Sequence, residues 1–486
     1  GGLISRDLRA NPSFALDPVG FLDDDPQKRG QVLRGLPVVG TIDDLASAAA
    51  RVGADEVVIA MPSASGTTIR RVVAQARAAG LGVRTTPSAL EILNGRLGVS
   101  ALRPVRIEDL LRREPVKIDL GPVDEMVADQ VVLVTGAGGS IGSELSRQLA
   151  ARHPRTLVLL GHGENSIFAI DRELRQRYPR LDIRPVIADV RDRRRLRGAL
   201  SRLAPGVIFH AAAHKHVPLM EENVVEAVTN NVLGTQNVAE FAVTAGTTRM
   251  VLVSTDKAVR PTNVMGATKR VAEQLVQGLV EPHQRKFIAV RFGNVLGSRG
   301  SVVPLFLQQI EAGGPVTVTH PEMRRYFMTI PESVSLMLQA AARGQGGDVF
   351  VLDMGEPVRI VDLATDLIRL SGLKVGRDIQ IEFTGVRPGE KLHEELFFGR
   401  ELAAPTEHAR VLRAKLVPLP IGLSTVVREL IDGAHRGVDD ETLRRLLVQL
   451  VPDYHPELSA RSLSSVRNEH VHRAVASVPS IPDGSA

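Results

Sequence analysis

The run Val131-Val132-Leu133-Val134-Thr135-Gly136-Ala137-Gly138-Gly139-Ser140-Ile141-Gly142 constrains this chain more than any other segment. Its apolar opening reads as a buried strand, and Gly136, Gly139 and Gly142 then turn the backbone into a helix. Without Cβ atoms the turn can close tightly, and its N–H groups can approach a pyrophosphate at the helix N-terminus. A lone glycine motif is weak evidence, but one set between a strand and a helix is strong. It predicts an α/β domain that binds a dinucleotide.

The surrounding residues keep the same rhythm. Strands are expected near Val131–Thr135, Leu157–Leu160, Pro185–Ala188, Val207–His210, Met250–Ser254 and Ile288–Arg291, with helical spacing between them. Such alternation implies a parallel sheet. After Gly297 it loosens, with strands near Val316–Thr319 and Val349–Leu352. A chain of 486 residues exceeds one core. Residues 1–115 read as a smaller α/β unit, with a strand at Val57–Ala60, a helix at Thr67–Ala79 and a strand from Gly82. Gly1-Gly2-Leu3-Ile4 looks like the tail of a glycine turn whose preceding strand is missing. A charged, proline-containing link over Arg103–Pro122 leads to the second unit, residues 116–400, with a smaller lobe from about 297. Residues 401–458 read as a helical extension, and 459–486 as a disordered tail rich in Ser, Arg and Pro. The fold class is therefore α/β, with two Rossmann-like parallel-sheet domains.

Composition narrows the chemistry. There is no cysteine, which removes disulfides, thiolate catalysis and thiolate-bound metal and fits a reducing compartment. His153, His283 and His320 are scattered without ligand spacing, so no metal site is expected. A net charge of +5 with 3% aromatic residues gives no support to nucleic-acid binding. No apolar stretch is long enough to span a membrane.

Around the glycine turn, Ser140 and Ile141 open the helix. Asp189 and Val190 follow the third strand, where an acid can accept from an adenine amino group. Ala211, Ala212 and Ala213 end the fourth strand with small residues, as needed where backbone lies along a cofactor. Glu164, just past the second strand, is the acid placed to meet a ribose diol; it favours NAD, with NADP left open. Ser254-Thr255-Asp256-Lys257-Ala258 closes the fifth strand, and Met265 and Lys269 share a helix face four residues apart. In isolation Asp256 and Lys257 read as a solvated pair. The domain around them makes them the candidate acid–base groups.

Five ordered motifs carry a resemblance: Thr135–Gly142, Ala211–Pro218, Ser254–Ala258, Arg291–Ser298 and Arg387-Pro388-Gly389-Glu390-Lys391-Leu392. Over roughly residues 10 to 400 the chain resembles the nucleotide-sugar 4,6-dehydratases of polysaccharide biosynthesis, in the extended short-chain dehydrogenase/reductase family. The large UDP-N-acetylglucosamine type is the nearest match. Those proteins carry membrane helices and a cofactor-free nucleotide-fold domain ahead of the catalytic domain. The resemblance implies a second domain of the extended short-chain dehydrogenase fold, one NAD or NADP per chain and a UDP-sugar substrate. It places the protein in the cytoplasm, or on the cytoplasmic face of the inner membrane through a segment this chain lacks. Large members put methionine where smaller ones have tyrosine, so Met265 fits. His214 departs from the pattern, standing where an apolar residue is expected.

The implied reaction is redox-neutral: hydride leaves C4 of the sugar, water is lost across C5 and C6, and hydride returns at C6. The resemblance gives Asp256 as acid to the C6 hydroxyl and Lys257 as the C5 base, with the reverse assignment open. Thr255 takes the C4 hydroxyl proton, Lys269 holds the nicotinamide ribose, and Met265 only packs. Lys215, His216, Asn294, Arg299, Ser301, Arg325, Arg387 and Glu390 are the implied substrate residues, with the arginines suited to diphosphate oxygens. Two other readings remain: an epimerase of the same fold, and a binding protein that lost its chemistry with the tyrosine. The apolar content of Asn223–Ala245 and Val264–Val280 exceeds what one sheet face needs and predicts a homo-oligomer.

Overall fold

The computed structural model describes residues 1–11, 15–87, 102–111, 119–280, 285–397, 404–414 and 418–456. The tail expected from 459 lies outside them.

The principal sheet has nine strands. Seven are parallel, in the order Val349–Leu352, Lys286–Arg291, Arg249–Val253, Val207–His210, Val131–Thr135, Thr156–Gly161 and Asp182–Ile187. Val131–Thr135, Thr156–Gly161 and Val207–His210 are buried along almost their whole length, which is why they read as continuous apolar runs rather than alternating ones. The strand order reverses direction between Val131–Thr135 and Val207–His210, so the loops leaving these two strands part and open a crevice at their carboxyl ends. Val411–Ala414 then pairs antiparallel with Val349–Leu352, and Ala404–Pro405 with Val411–Ala414. These short strands, expected inside the helical extension, instead cover what would be an open sheet edge.

The smaller lobe hangs from the same end of the sheet. It is pinned by the parallel pair Asn294–Leu296 with Phe327–Thr329 and by the antiparallel pair Arg324–Arg325 with Val358–Arg359. In the N-terminal unit Gly2–Ala10 is a helix, and Phe21–Leu22 runs parallel to Leu36–Gly40. Glu56–Ile59 runs parallel to Gly82–Thr85. This unit does not stand apart. Ile69, Val72, Val73 and Ala76 share one apolar core with Ile107 and Leu110, and with Leu363, Leu367 and Ile368 of the smaller lobe. Arg70 pairs with Asp366 at 3.1 Å, and Arg77 donates to the Leu370 carbonyl at 2.8 Å.

The apolar surplus of the Asn223–Ala245 and Val264–Val280 segments has an owner within the chain. Helices Leu423–Arg436 and Asp440–Leu450 form a hairpin whose Val427, Leu430, Leu443, Leu447 and Leu450 pack on Val224, Val228, Val232, Val264 and Val271. The surplus assigned to a partner subunit is met at least in part by the chain's own C-terminal hairpin, so it no longer argues for an oligomer. Polar bonds fasten this hairpin too. Glu221 accepts from the Val264 N–H at 2.6 Å and is held by Arg444 at 2.8 Å, and Gln274 donates to the Leu450 carbonyl at 3.0 Å.

Candidate active site

The crevice holds a cavity of about 620 Å³ lined by all three regions that the motifs single out. Gly139, Ser140, Ile141, Gly142, Ala211 and Ala213 form its inner wall, and Thr255, Lys257, Met265 and Lys269 its floor. Lys215, His216, Asn294, Arg299, Ser301, Arg325, Arg387 and Glu390 complete the rim.

The inner wall fits a dinucleotide. Gly136 has φ +66°, and a Cβ on it would lie 2.8 Å from the Ala212 nitrogen. A Cβ on Gly142 would sit 2.1 Å from the Gly136 carbonyl oxygen. These two glycines let the turn fold onto itself and onto the fourth strand. Gly139 is the N-cap of helix Ser140–Ala150 and gives it no side-chain cap, so first-turn N–H groups are left for an anion on the cavity side. Asp189 is gripped by Arg191, with contacts at 2.8 to 3.1 Å, and that pairing holds its carboxyl below the usual range. Val190 is buried against helix Gly234–Thr244, where a Cβ on Gly234 would lie 2.8 Å from it. Glu164 is the exposed first residue of helix Glu164–Arg177. Asp189, Val190 and Glu164 lie outside the cavity lining, as do Gly136 and Ala212 behind the turn.

Two features place the floor. Asn263 caps helix Val264–Gly278 by accepting from the Gly266 N–H at 2.7 Å. Gly266 itself lies so close to the strand-end loop that a Cβ would stand 2.2 Å from the Lys257 carbonyl oxygen. The lack of a side chain there brings Met265 and Lys269 up to Thr255. The Arg387–Lys391 motif docks on the same helix end. The Gly389 carbonyl accepts from Thr262 at 3.1 Å and from Asn263 at 3.0 Å, and Lys391 donates to the Val259 carbonyl at 3.1 Å.

Asp256 is fully buried. Thr255 Oγ1 donates to its Oδ1 at 2.9 Å and Lys257 Nζ at 3.1 Å, while its Oδ2 has no partner among the described residues. Burial raises the Asp256 carboxyl; Lys257 opposes this and Glu394 adds to it, and the net direction is upward. Burial works against the Lys257 ammonium, but Asp256 and Glu394 outweigh it and leave that group raised. Asp256 is thus a carboxyl that holds its proton more tightly than usual, beside a held ammonium. Lys269 is buried, donates to the Val253 carbonyl at 2.7 Å, and is brought down to about 8 by burial. Lys215 donates to Ser298 at 3.3 Å and is also lowered by burial and then by Lys257. Arg325 is turned inward: it donates to the carbonyls of Arg324, Lys391 and Leu392 at 2.8 to 3.1 Å. In this arrangement it ties the smaller lobe together. His214, the polar departure, lines the cavity and pairs with Glu226 at 3.3 Å.

Several groups here were invisible in the sequence. Asn231 sits in a π-helical turn, Val228–Leu233, where it accepts from the His214 N–H at 2.8 Å and donates to Thr268 at 3.1 Å. Glu273 joins Ser254, Arg270 and Arg291 in a buried network directly behind Thr255. Burial would raise Glu273, yet Arg291, then Arg270 and Ser254, bring it down to about 2. Glu394 lines the cavity beside Lys257. Among the described residues no His, Asp or Glu cluster is spaced to hold a metal, and no helix is long and apolar enough to cross a membrane.

Comparison with known proteins agrees with this layout. The polysaccharide biosynthesis protein family matches residues 132–416, and a CoA-binding domain family matches residues 1–87. The chain is 48% identical over 419 residues to the capsular polysaccharide biosynthesis protein CapD of Staphylococcus aureus, covering 86% of this chain and 70% of CapD. It is 49% identical over 405 residues to the probable polysaccharide biosynthesis protein EpsC of Bacillus subtilis, covering 83% of this chain and 68% of EpsC. Among solved structures, Pen from Bacillus thuringiensis matches with a TM-score of 0.52 at 35% identity, over 56% of this chain and 84% of Pen. With its parallel sheet, glycine turn and strand-end acid, the chain belongs to the polysaccharide biosynthesis protein family, on the extended short-chain dehydrogenase/reductase fold.

Proposed function

We propose that this protein is an NAD(P)-dependent nucleotide-sugar 4,6-dehydratase acting on a UDP-N-acetylhexosamine, with UDP-N-acetylglucosamine as first candidate. One observation carries the reading: a fully buried carboxyl, Asp256, raised by burial, lies just behind the cavity lining and 3.1 Å from the ammonium of Lys257, which lines the same cavity as the glycine turn. Loss of water from C5 and C6 needs a proton donor, and burial, which favours the protonated form of Asp256, supports it in that role. An epimerase acting at C4 or C5 needs no acid for C6.

A bound NAD(P) supplies the hydride acceptor for C4 and the donor for C6. Ser140 and the first-turn N–H groups of its helix hold the pyrophosphate, and Lys269 holds the nicotinamide ribose. Glu164 favours NAD over NADP. We assign one dinucleotide per chain, in the second unit. Thr255 takes up the C4 hydroxyl proton, helped by the buried positive charge of Lys269. Asp256 gives its proton to the departing C6 hydroxyl. Arg299, Arg387 and Glu390 are the substrate-binding groups at the rim, with Ser301 and Glu390 each presenting a buried oxygen that lacks a partner among the described residues.

The test is incubation of the purified chain with UDP-N-acetylglucosamine, cofactor supplied. A keto product lighter by one water is expected. A product of unchanged mass would replace this reading with the epimerase, and binding without product or exchange at C5 with an inert binding protein.

A further inference from the structure

Thr255 and Lys269 come from different elements, yet the step at C4 needs them together. Lys269 rides on helix Val264–Gly278 and donates to the Val253 carbonyl at 2.7 Å. The next residue of the strand end, Ser254, donates to Glu273 Oε1 at 2.6 Å. Glu273 lies one turn beyond Lys269 on the same helix. Its Oε1 also accepts from Arg291 Nε at 2.8 Å, and its Oε2 from Arg291 Nη2 at 2.7 Å and Arg270 Nη1 at 2.9 Å. One carboxylate thus ties the helix to the ends of the fifth and sixth strands. Glu273 is fully buried, and Arg291 nearly so. Replacing a buried ionic network by apolar side chains is often neutral or stabilising, so stability alone does not account for one. Its place against the strand end that carries Thr255 gives it another use.

We propose that Glu273 is a positioning residue for the C4 oxidation: it clamps helix Val264–Gly278 to the strand end and so holds Lys269 with Thr255. Glu273 is outside the cavity lining, so it acts only through Ser254 and Lys269. Placement is the first effect, through the bonds already given. Charge is the second. The titratable groups packed about this end of the helix are His210 on the fourth strand, Asp256 and Lys257 after the fifth, Arg291 on the sixth, and Arg270 and Glu273 on the helix itself. His210 is kept neutral by burial, which brings it down to about 3. Asp256 and Lys257 pair with each other at 3.1 Å. Burial lowers Lys269 to about 8, and Glu273 is the group that opposes the fall. Without that carboxylate, Arg270 and Arg291 lose their shared counter-charge beside Lys269, and the ammonium gives up its proton at a lower pH.

The chemistry of this assignment rests on the dehydratase reading, in which Thr255 and Lys269 serve the C4 step. Lys269 is an ammonium below about pH 8. A C4 step that depends on its charge runs fully below that pH and fades as pH rises through it. Loss of Glu273 moves the fade to lower pH. Loosened packing alone would instead lower the rate by one factor at every pH.

The test is Glu273→Gln in the full chain, with Lys269 titrated by acylation with a small anhydride and read by peptide mass. The wild-type midpoint should lie at about 8, and that of the variant should fall by on the order of one pH unit. Single-turnover reduction of the bound cofactor by UDP-N-acetylglucosamine should slow about 10²-fold near the wild-type midpoint and recover in part as pH is lowered by about two units. Glu273→Asp, which keeps the charge, should hold the Lys269 midpoint within about half a unit of the wild type. If Glu273→Gln does not fold, Ser254→Ala decides: it removes the 2.6 Å bond and no charge. It should slow cofactor reduction about tenfold or more with the Lys269 midpoint unmoved, and a wild-type rate overturns the proposal. An unmoved midpoint in folded Glu273→Gln, or a loss of rate equal at every pH, also overturns it and leaves the network as packing. A wild type that never reduces its cofactor overturns the dehydratase reading, while the Lys269 titration still judges Glu273.

Discussion

Gly266 is the position where the smallest chemical change should have the clearest double effect. A Cβ there would lie 2.2 Å from the Lys257 carbonyl oxygen, 3.0 Å from its carbonyl carbon and 3.1 Å from Pro261 Cβ. The first contact is with backbone, so no side chain can swing aside, and helix Val264–Gly278 must retreat by about 1 Å. Overpacking of this kind costs about 1–3 kcal/mol, against a gain of about 1 kcal/mol from replacing glycine by alanine within a helix. Gly266→Ala should therefore lose up to about 2 kcal/mol, a downward melting shift of at most roughly 2–4 °C for a chain of this length. The same retreat carries Met265 and Lys269 away from Thr255, and a misplacement of about 1 Å is worth about 10²-fold in turnover. Gly198 supplies the control: it lies in helix Arg193–Leu200 with nothing within 4 Å of its Cβ position. Gly198→Ala should stabilise by about 0.5–1 kcal/mol and leave turnover alone. Both variants are read by thermal melting and by product formation from UDP-N-acetylglucosamine. If Gly266→Ala melts at or above the wild type with full turnover, the close approach of helix and strand end is not what sets the floor of the site.

Other expectations follow from the same contacts. Glu273 is lowered from 4.5 to about 2, so its contribution to stability, about 3 kcal/mol, is present above pH 4.5 and lost as pH falls towards 2; acid unfolding of Glu273→Gln should lack that window. Asp256→Asn should lose about 10²–10⁴-fold in turnover while still binding UDP-sugar by calorimetry, and Met265→Ala, which removes only packing, should be much milder. Leu447→Ala, at a fully buried hairpin position, should cost about 2–5 kcal/mol and loosen the hairpin. Light scattering should then detect concentration-dependent self-association through the bared Val228, Val264 and Val271 face; unchanged behaviour would count against the hairpin as its cover.

Much of this site was legible because it is local. The glycine turn, the alanine-rich end of the fourth strand and the Thr255-Asp256-Lys257 step each lie within a few residues of a strand terminus, where period and turn chemistry speak directly. Glu394 was not legible. It lies past the last recognised motif, and only the return of the smaller lobe to the sheet sets it against Lys257. Asn231 was hidden for another reason: its placement depends on a π-helical turn that leaves no mark in residue spacing. The hairpin covers, at least in part, a face whose apolar surplus the sequence pattern assigned to a partner subunit. Periodicity tells that a face is covered without telling by what.

The shared core of the N-terminal unit has a consequence for how this molecule can be cut or tuned. Leu296, Val303, Phe306, Met323, Phe327 and Ile360 line the active-site cavity and also belong to the core that contains Ile69, Val72 and Ile107. One side of those residues faces the cavity, and the other is the foundation of the N-terminal unit. Excising that unit would strip the back of the cavity wall to solvent. Substrate affinity is thereby made a gauge of N-terminal integrity: Ile69→Ala, far from any reacting atom, should soften the wall and raise KM for the UDP-sugar while the chemical step, timed in single-turnover kinetics, keeps its rate.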